Sequence, residues 1–135
     1  MNITFQRRTD LGLSALRELH SEDGHLQGAV LADRIETTTS FLPQIMSPLV
    51  KAGWVTSNRG PGGGYRLTEA AYSITLYDLI QTLEGPAESG RCVFRDEACP
   101  GAVACPVHTV WLEARESMIE GFQNIPAILA EGEGR

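Results

Sequence analysis

The sequence predicts a mainly α-helical chain with a small β-hairpin and a long C-terminal helix. Three observations carry that expectation. Apolar residues recur at spacings of three and four in five separate segments. Only two short β-favouring runs occur, and they flank a glycine-rich string. The longest apolar stripe begins after Cys105, well separated from the others.

The 135 residues suffice for one domain with a real core and an appended helix for dimerisation. Hydrophobic residues make up 42% and charged residues 21%, which is ordinary globular usage. No stretch is long and apolar enough to span a bilayer. The opening MNITFQRRTD lacks the apolar core of a secretory signal, so a cytoplasmic location is expected.

In chain order, Thr9 is suited to N-cap a first helix with Leu11, Ala15, Leu16 and Leu19 on one side, and Ser21 to Gly24 is a polar stop. A second short helix is expected from Ala29 to Ile35. Thr37, Thr38 and Thr39 form a capping cluster ahead of SFLPQIMSPLVKAG, where Phe41, Leu42, Ile45, Leu49 and Val50 share a face and Gly53 ends the helix. Pro43 suits its first turn, whereas Pro48 removes an interior hydrogen bond and should bend or split it. The runs Trp54 to Thr56 and Tyr65 to Leu67 make a hairpin with a flexible tip. Thr75 and Asp78 have capping-box spacing for a helix that buries Leu76, Leu79, Ile80 and Leu83 and stops at Gly85. From Pro86 to Ala104 periodicity lapses. It resumes with Val107, Val110, Trp111, Ala114, Met118 and Phe122, while Glu113, Glu116 and Glu120 point elsewhere. The tail EGEGR reads as frayed.

Three helices followed by a hairpin is the order of a winged helix-turn-helix, in which one helix enters the major groove and the hairpin touches the adjoining backbone or minor groove. The expected division is a DNA-binding domain over residues 1–85, a loop over 86–105, and a dimerisation helix and tail over 106–135. Net charge is −6, which argues against wholesale nucleic-acid binding, but the acid is unevenly spread. Residues 1–70 carry 7 basic and 7 acidic side chains, and residues 71–135 carry 4 and 10. Between Thr37 and Thr68 there is no acidic residue, while Lys51, Arg59 and Arg66 are present. A phosphate-facing surface fits there.

The string RGPGGGYR suits a loop whose backbone approaches another surface closely, with Arg59 and Arg66 flanking Gly62 and Gly63. It lacks the Lys-Ser/Thr of a phosphate-binding P-loop. In the proposed recognition helix and its cap, Thr38, Thr39, Ser40, Gln44 and Ser47 offer hydroxyls and an amide to phosphates or adenine edges. The alternatives are an ordinary hairpin and a solvated helix face.

Cys92, Cys99 and Cys105 are too loosely spaced for a zinc ribbon but suit a loop wrapped around a larger inorganic core. Thiolates match iron–sulfur clusters or zinc. Cys105 precedes Pro106 and therefore stands at a helix start, where the dipole favours thiolate. Three sulfurs leave a fourth position open. His108 would share a face with Cys105, and Asp10 would serve only if the fold or a second subunit brought it near; otherwise each is a satisfied surface or first-turn residue.

RTDLGLSAL, FLPQIMSPLVKAGWV, RGPGGGYRL, ITLYDLIQTLEG and the three-cysteine loop together resemble the Rrf-two-type winged-helix regulators, the family of the iron–sulfur regulator IscR and the nitric-oxide-sensitive repressor NsrR. That resemblance implies a homodimer on a double-stranded DNA operator, with the stripe from Val107 to Phe122 as the dimer seam. It also implies a [2Fe-2S] or [4Fe-4S] cluster as sensor. TDLGL is similar to the NsrR start, whose aspartate at the position of Asp10 reaches the other subunit's cluster. CPVHTVW is similar to IscR, whose histidine at the position of His108 is the fourth ligand. Both remain candidates. Pro43 stands where the family often has Glu, so operator sequences do not carry over. The competing readings are a regulator using thiols or zinc without a cluster, and a small cluster carrier without a DNA role. An enzyme is disfavoured, because no nucleophile has a convincing base partner.

Overall fold

The first helix, α1 (Arg7–Ser21), is the member against which the others pack. The computed structural model describes residues 4–86, 94 and 105–128. Leu11, Ala15, Leu16 and Leu19 lie on one stripe of α1 and are almost wholly buried, as the periodicity predicts. They meet α2 (Gly28–Arg34), α3 (Leu42–Lys51) and α4 (Leu76–Glu84). Leu31, Leu42, Ile45, Met46, Leu49 and Leu79 complete the centre of the core.

The start of α1 differs from expectation. Its N-cap is Gln6, and Thr9 is fully buried inside the first turn. The Thr9 hydroxyl donates to Glu84 Oε1 at 2.7 Å, and the same oxygen accepts the Gln6 backbone N–H at 2.7 Å. Glu84, at the end of α4, thus takes the N-cap backbone N–H that a capping-box side chain three residues later would accept locally.

After α1, positive φ at Asp23 (56°) and Gly24 (84°) turns the chain into β1 (His25–Leu26), a strand the sequence reading missed. The expected hairpin is present as β2 (Val55–Asn58) and β3 (Gly64–Leu67). The sheet is antiparallel in the order β1-β3-β2, with Arg66 paired to both His25 and Thr56. β3 is therefore the central strand.

Helix α3 runs without a break through Pro48, so it is not split. Proline denies the Gln44 carbonyl its usual partner, but Ile45, Met46 and Leu49 are completely buried around it and hold the turn in place. A 3-10 turn (Glu69–Ser73) leads into α4, which has the expected capping box: Asp78 N–H donates to Thr75 Oγ1 at 3.2 Å and Thr75 N–H to Asp78 Oδ2 at 2.8 Å.

The last helix, α5 (Pro106–Phe122), has no fully buried residue and leans on α4. Val110 is 65% exposed, so much of the apolar stripe faces outward. The chain beyond it folds back onto the body. Leu76 N–H donates to the Ile125 carbonyl at 2.7 Å and Ala127 N–H to the Ile74 carbonyl at 3.0 Å, which places Ala127 wholly inside the core. Phe5 and Phe122 meet edge to face at 5.5 Å. The EGEGR tail lies outside the described residues.

Glu84→Ala leaves a buried hydroxyl and a helix-start N–H without their acceptor, and is expected to destabilise by about 1–3 kcal/mol in urea unfolding. Glu84→Gln keeps an acceptor oxygen and should recover much of that loss. Equal stability of wild type and Glu84→Ala would refute the role.

Candidate nucleic-acid interface and cysteine site

Helix α3 presents two faces. Leu42, Ile45, Met46 and Leu49 enter the core, while Ser40, Gln44, Ser47 and Lys51, spaced by four, three and four, are exposed on the other side. Thr38 and Thr39 are also exposed. Thr38 Oγ1 accepts the Phe41 N–H at 3.1 Å and lies 3.2 Å from the Ser40 hydroxyl, so it shapes the turn that delivers the chain into α3. The helix start proper has no side-chain cap.

A groove of about 540 Å³ separates α3 from the hairpin. Pro43, Ser47 and Val50 line one wall, and Asn58, Arg59 and Tyr65 line the other. No carboxylate lines it. Arg59 is exposed at its edge, so a phosphate in the groove would meet a cation and a row of neutral donors without a repelling charge. Burial raises the Tyr65 phenol above its ordinary pKa, keeping it a neutral hydroxyl. Sequence reasoning missed Asn58 and Tyr65. The alternation of Tyr65 and Leu67 about Arg66 was the available signal, because it turns Tyr65 away from the outer face.

The same alternation separates the two flanking arginines. Arg66 is exposed beside Thr56 and His25 and does not line the groove. Within the tip, Gly60 (φ 89°) and Gly62 (φ 75°) take left-handed conformations, and the Gly63 N–H donates to the Gly60 carbonyl at 2.9 Å. Gly62 is exposed but Gly63 is buried, where a Cβ would stand 2.5 Å from the Asn58 carbonyl oxygen. Gly63 therefore shapes the tip and offers little surface. Gly64 combines φ 132° with a position where a Cβ would collide with the Leu26 carbonyl oxygen, so glycine is what lets β1 and β3 come together.

Of the sulfur candidates, Cys92 and Cys99 lie outside the described residues. Cys105 is the N-cap of α5, as expected, with Pro106 at the first helical position. Its thiol is unpaired and half-buried. The His108 N–H donates to the Cys105 carbonyl at 3.1 Å, and the half-buried His108 imidazole belongs to the same first turn. Asp10 is placed differently. It lines a cavity with Arg115, Met118 and Phe122, which belong to the second half of α5. At helical rise, Arg115 is about 15 Å along the axis from Cys105. The fold thus brings His108 to Cys105 and directs Asp10 toward the opposite half of the helix. Among the described residues no three His, Cys, Asp or Glu side chains are grouped to hold a metal ion.

The family model for Rrf2, described as an iron-dependent transcriptional regulator, matches residues 5–126. The chain belongs to the Rrf2 family. Similar Rrf2 relatives include the transcriptional regulator IscR of Photobacterium profundum, 41% identical over 106 residues that cover 78% of this chain and 60% of the relative. IscR of Vibrio campbellii is 35% identical over 107 residues, covering 79% and 63%. The match thus spans about three-fifths of those relatives' length. Among solved structures, CymR, the global cysteine regulator of B. subtilis, superposes with a TM-score of 0.74 at 26% identity, covering 93% of this chain and 94% of that one. T. potens IscR gives a TM-score of 0.70 at 25% identity over 94% and 85%. Rrf2 proteins are regulators and not enzymes, and these superpositions establish the winged-helix fold with its added long helix.

The donor set described for this Rrf2 chain is compatible with a thiolate-bound metal group. A free thiol at a helix start, with no competing side-chain cap, is a soft donor available to a metal. In the hairpin, Gly60→Ala meets empty space and costs only the left-handed backbone, about 1–2 kcal/mol. Gly64→Ala adds a collision with backbone and should lower the thermal midpoint distinctly more. The reverse order would contradict the assigned β1–β3 contact.

Proposed function

We propose that the chain is a DNA-binding transcriptional regulator that acts as a homodimer on a double-stranded operator, its affinity set by an iron–sulfur cluster held on Cys92, Cys99 and Cys105. The observation that carries the DNA reading is the acid-free groove in which Ser47, on the polar face of α3, and Arg59 of the hairpin line opposite walls. In this reading Gln44 and Ser47 address base edges, Lys51 and Arg59 hold phosphates, and Thr38, Thr39 and Ser40 set the entry of α3. Gly62 allows the tip to approach the duplex, and Arg66 contributes a longer-range charge. The protein would work in the cytoplasm, where its operator is.

The cluster reading rests on the Cys105 thiol at the head of α5, the family's iron dependence and the similarity to IscR. Either [2Fe-2S] or [4Fe-4S] is compatible, and when bound it supplies a group sensitive to redox state, nitric oxide or iron–sulfur status. His108 is positioned to serve a group in its own subunit. Asp10, facing the far half of its own α5, suits one carried by the partner. Outward-facing Val110 gives α5 an apolar surface for that partner. Ligation would fix α5 against the body and so bias the spacing of the two α3 helices.

Arg59→Ala is expected to weaken binding to all DNA sequences alike and to reduce the slope of log affinity against log salt by about 1. Arg66→Ala should weaken binding less, since it lies outside the groove. Comparable losses would overturn the assignment of the wall. Anaerobically purified protein should be coloured and contain acid-labile sulfide, with Cys105→Ser colourless. A colourless wild type with stoichiometric zinc would replace the cluster with a zinc site. Spectral change in His108→Ala alone, or in Asp10→Ala alone, would identify the fourth ligand.

A further inference from the structure

The groove-facing side of α3 begins on a residue whose side chain can make no hydrogen bond. Pro43 is exposed and lines the groove on the same stripe as Ser47 and Val50, which follow it by one and two turns. It is the second residue of α3, directly before the exposed Gln44. A proline costs no hydrogen bond there, because the first backbone N–H groups of a helix have no partner within it. The core side of the same turn is taken by Leu42, which is 2% exposed, so the Pro43 ring is left facing outward.

The chemistry of that ring restricts what it can recognise. It offers neither donor nor acceptor, and its locked φ means that packing against it orders no side-chain torsion. Further along the groove, half-buried Val50 and Tyr65 continue the apolar surface, with the Ser47 hydroxyl between Pro43 and Val50 on the helix wall. A recognition helix meets base edges with its N-terminal residues. Those edges expose donors, acceptors and one apolar group in the major groove, the C5-methyl of thymine.

We propose that Pro43 is a specificity-determining residue whose ring packs on the C5-methyl of a thymine, so that the chain favours a T·A pair beside the pair addressed by Gln44. The inference rests on the DNA reading and adds a base preference to it. Any other base in that place would set a donor or acceptor against the ring, losing its water without gaining a partner.

The test selects duplexes from a random-sequence pool with the full chain, purified anaerobically. In the tightest of them each thymine is then replaced singly by deoxyuridine, which removes the methyl and keeps the base pair. At one thymine per recognition helix the replacement should weaken binding about fourfold, the worth of one buried methyl. Pro43→Gly should bind the thymine and uracil forms equally. Each comparison is made within one protein, so a loss of helix stability in the variant cancels. Pro43→Ala, with a better helix former, gives the same comparison with a reduced penalty. For the wild type, 5-methylcytosine at that place should bind more tightly than cytosine. Tight duplexes that tolerate uracil at every position, or a uracil penalty unchanged in both variants, would overturn the proposal and leave the DNA reading intact. A pool in which no duplex is enriched would sink the DNA reading and this inference together.

Discussion

The close approach of α1 and α4 is the constraint on which the rest of this structure depends. At Gly12 a Cβ would stand 2.5 Å from the end of Leu83, a side chain that is itself only 4% exposed and has little room to move. Glycine is unfavourable inside a helix by about 1 kcal/mol relative to alanine. Here it lets the two helices touch. That contact delivers Glu84 to the start of α1, where one carboxylate oxygen serves both the Gln6 N–H and the buried Thr9 hydroxyl. Polar satisfaction and apolar packing thus fix the same pair of helices.

Two consequences follow at opposite ends of α1. Its buried stripe supports α2, α3 and β3, so the polar face of α3 and the hairpin are held on a common rigid base. The groove between them inherits its geometry from that base. The start of α1 instead faces α5, which is secured by Phe5 on Phe122 and by the returning segment through Ala127. No residue of α5 itself is fully buried. A helix so attached can respond to what binds near it, while the α3 face stays folded. This division of stiffness suits a regulator in which an event at the head of α5 must reach a DNA-facing surface.

Local signals were legible where local chemistry decides. The capping box of Thr75 and Asp78, the stop at Gly85 and the place of Cys105 before Pro106 each depend on residues within one turn, and each is present as expected. Expectations failed where a distant partner intervenes. Thr9 has the chemistry of a cap, but it lies buried within the first turn, where its hydroxyl donates to Glu84, 75 residues away. β1 is two residues long and has no periodicity to detect; its pairing with β3 creates it. Pro48 should disrupt an isolated helix, yet core contacts on both sides keep α3 continuous. At the candidate interface, charge and polarity pointed to the outer face of α3 and to the hairpin arginines, but the sequence could not separate Arg59 from Arg66. Only the pairing of β3 between two neighbours shows that Arg66 faces outward.

The membership of the chain in the Rrf2 family accounts for the joining of a winged helix to a long, poorly buried α5, and the proposed function would give the cysteine at that helix's head a chemical purpose. The central claim is that ligation at this head is coupled to DNA binding through α1 and α4. The most direct measurement is operator-fragment affinity for the anaerobic protein at one salt concentration, before and after iron is removed by chelation. Coupling of about 1–3 kcal/mol predicts a change of roughly 5- to 150-fold, and Cys105→Ser should match the iron-free protein in either condition. Equal affinities before and after iron removal would contradict the claim, leaving a DNA-binding fold whose cysteine site does not control it.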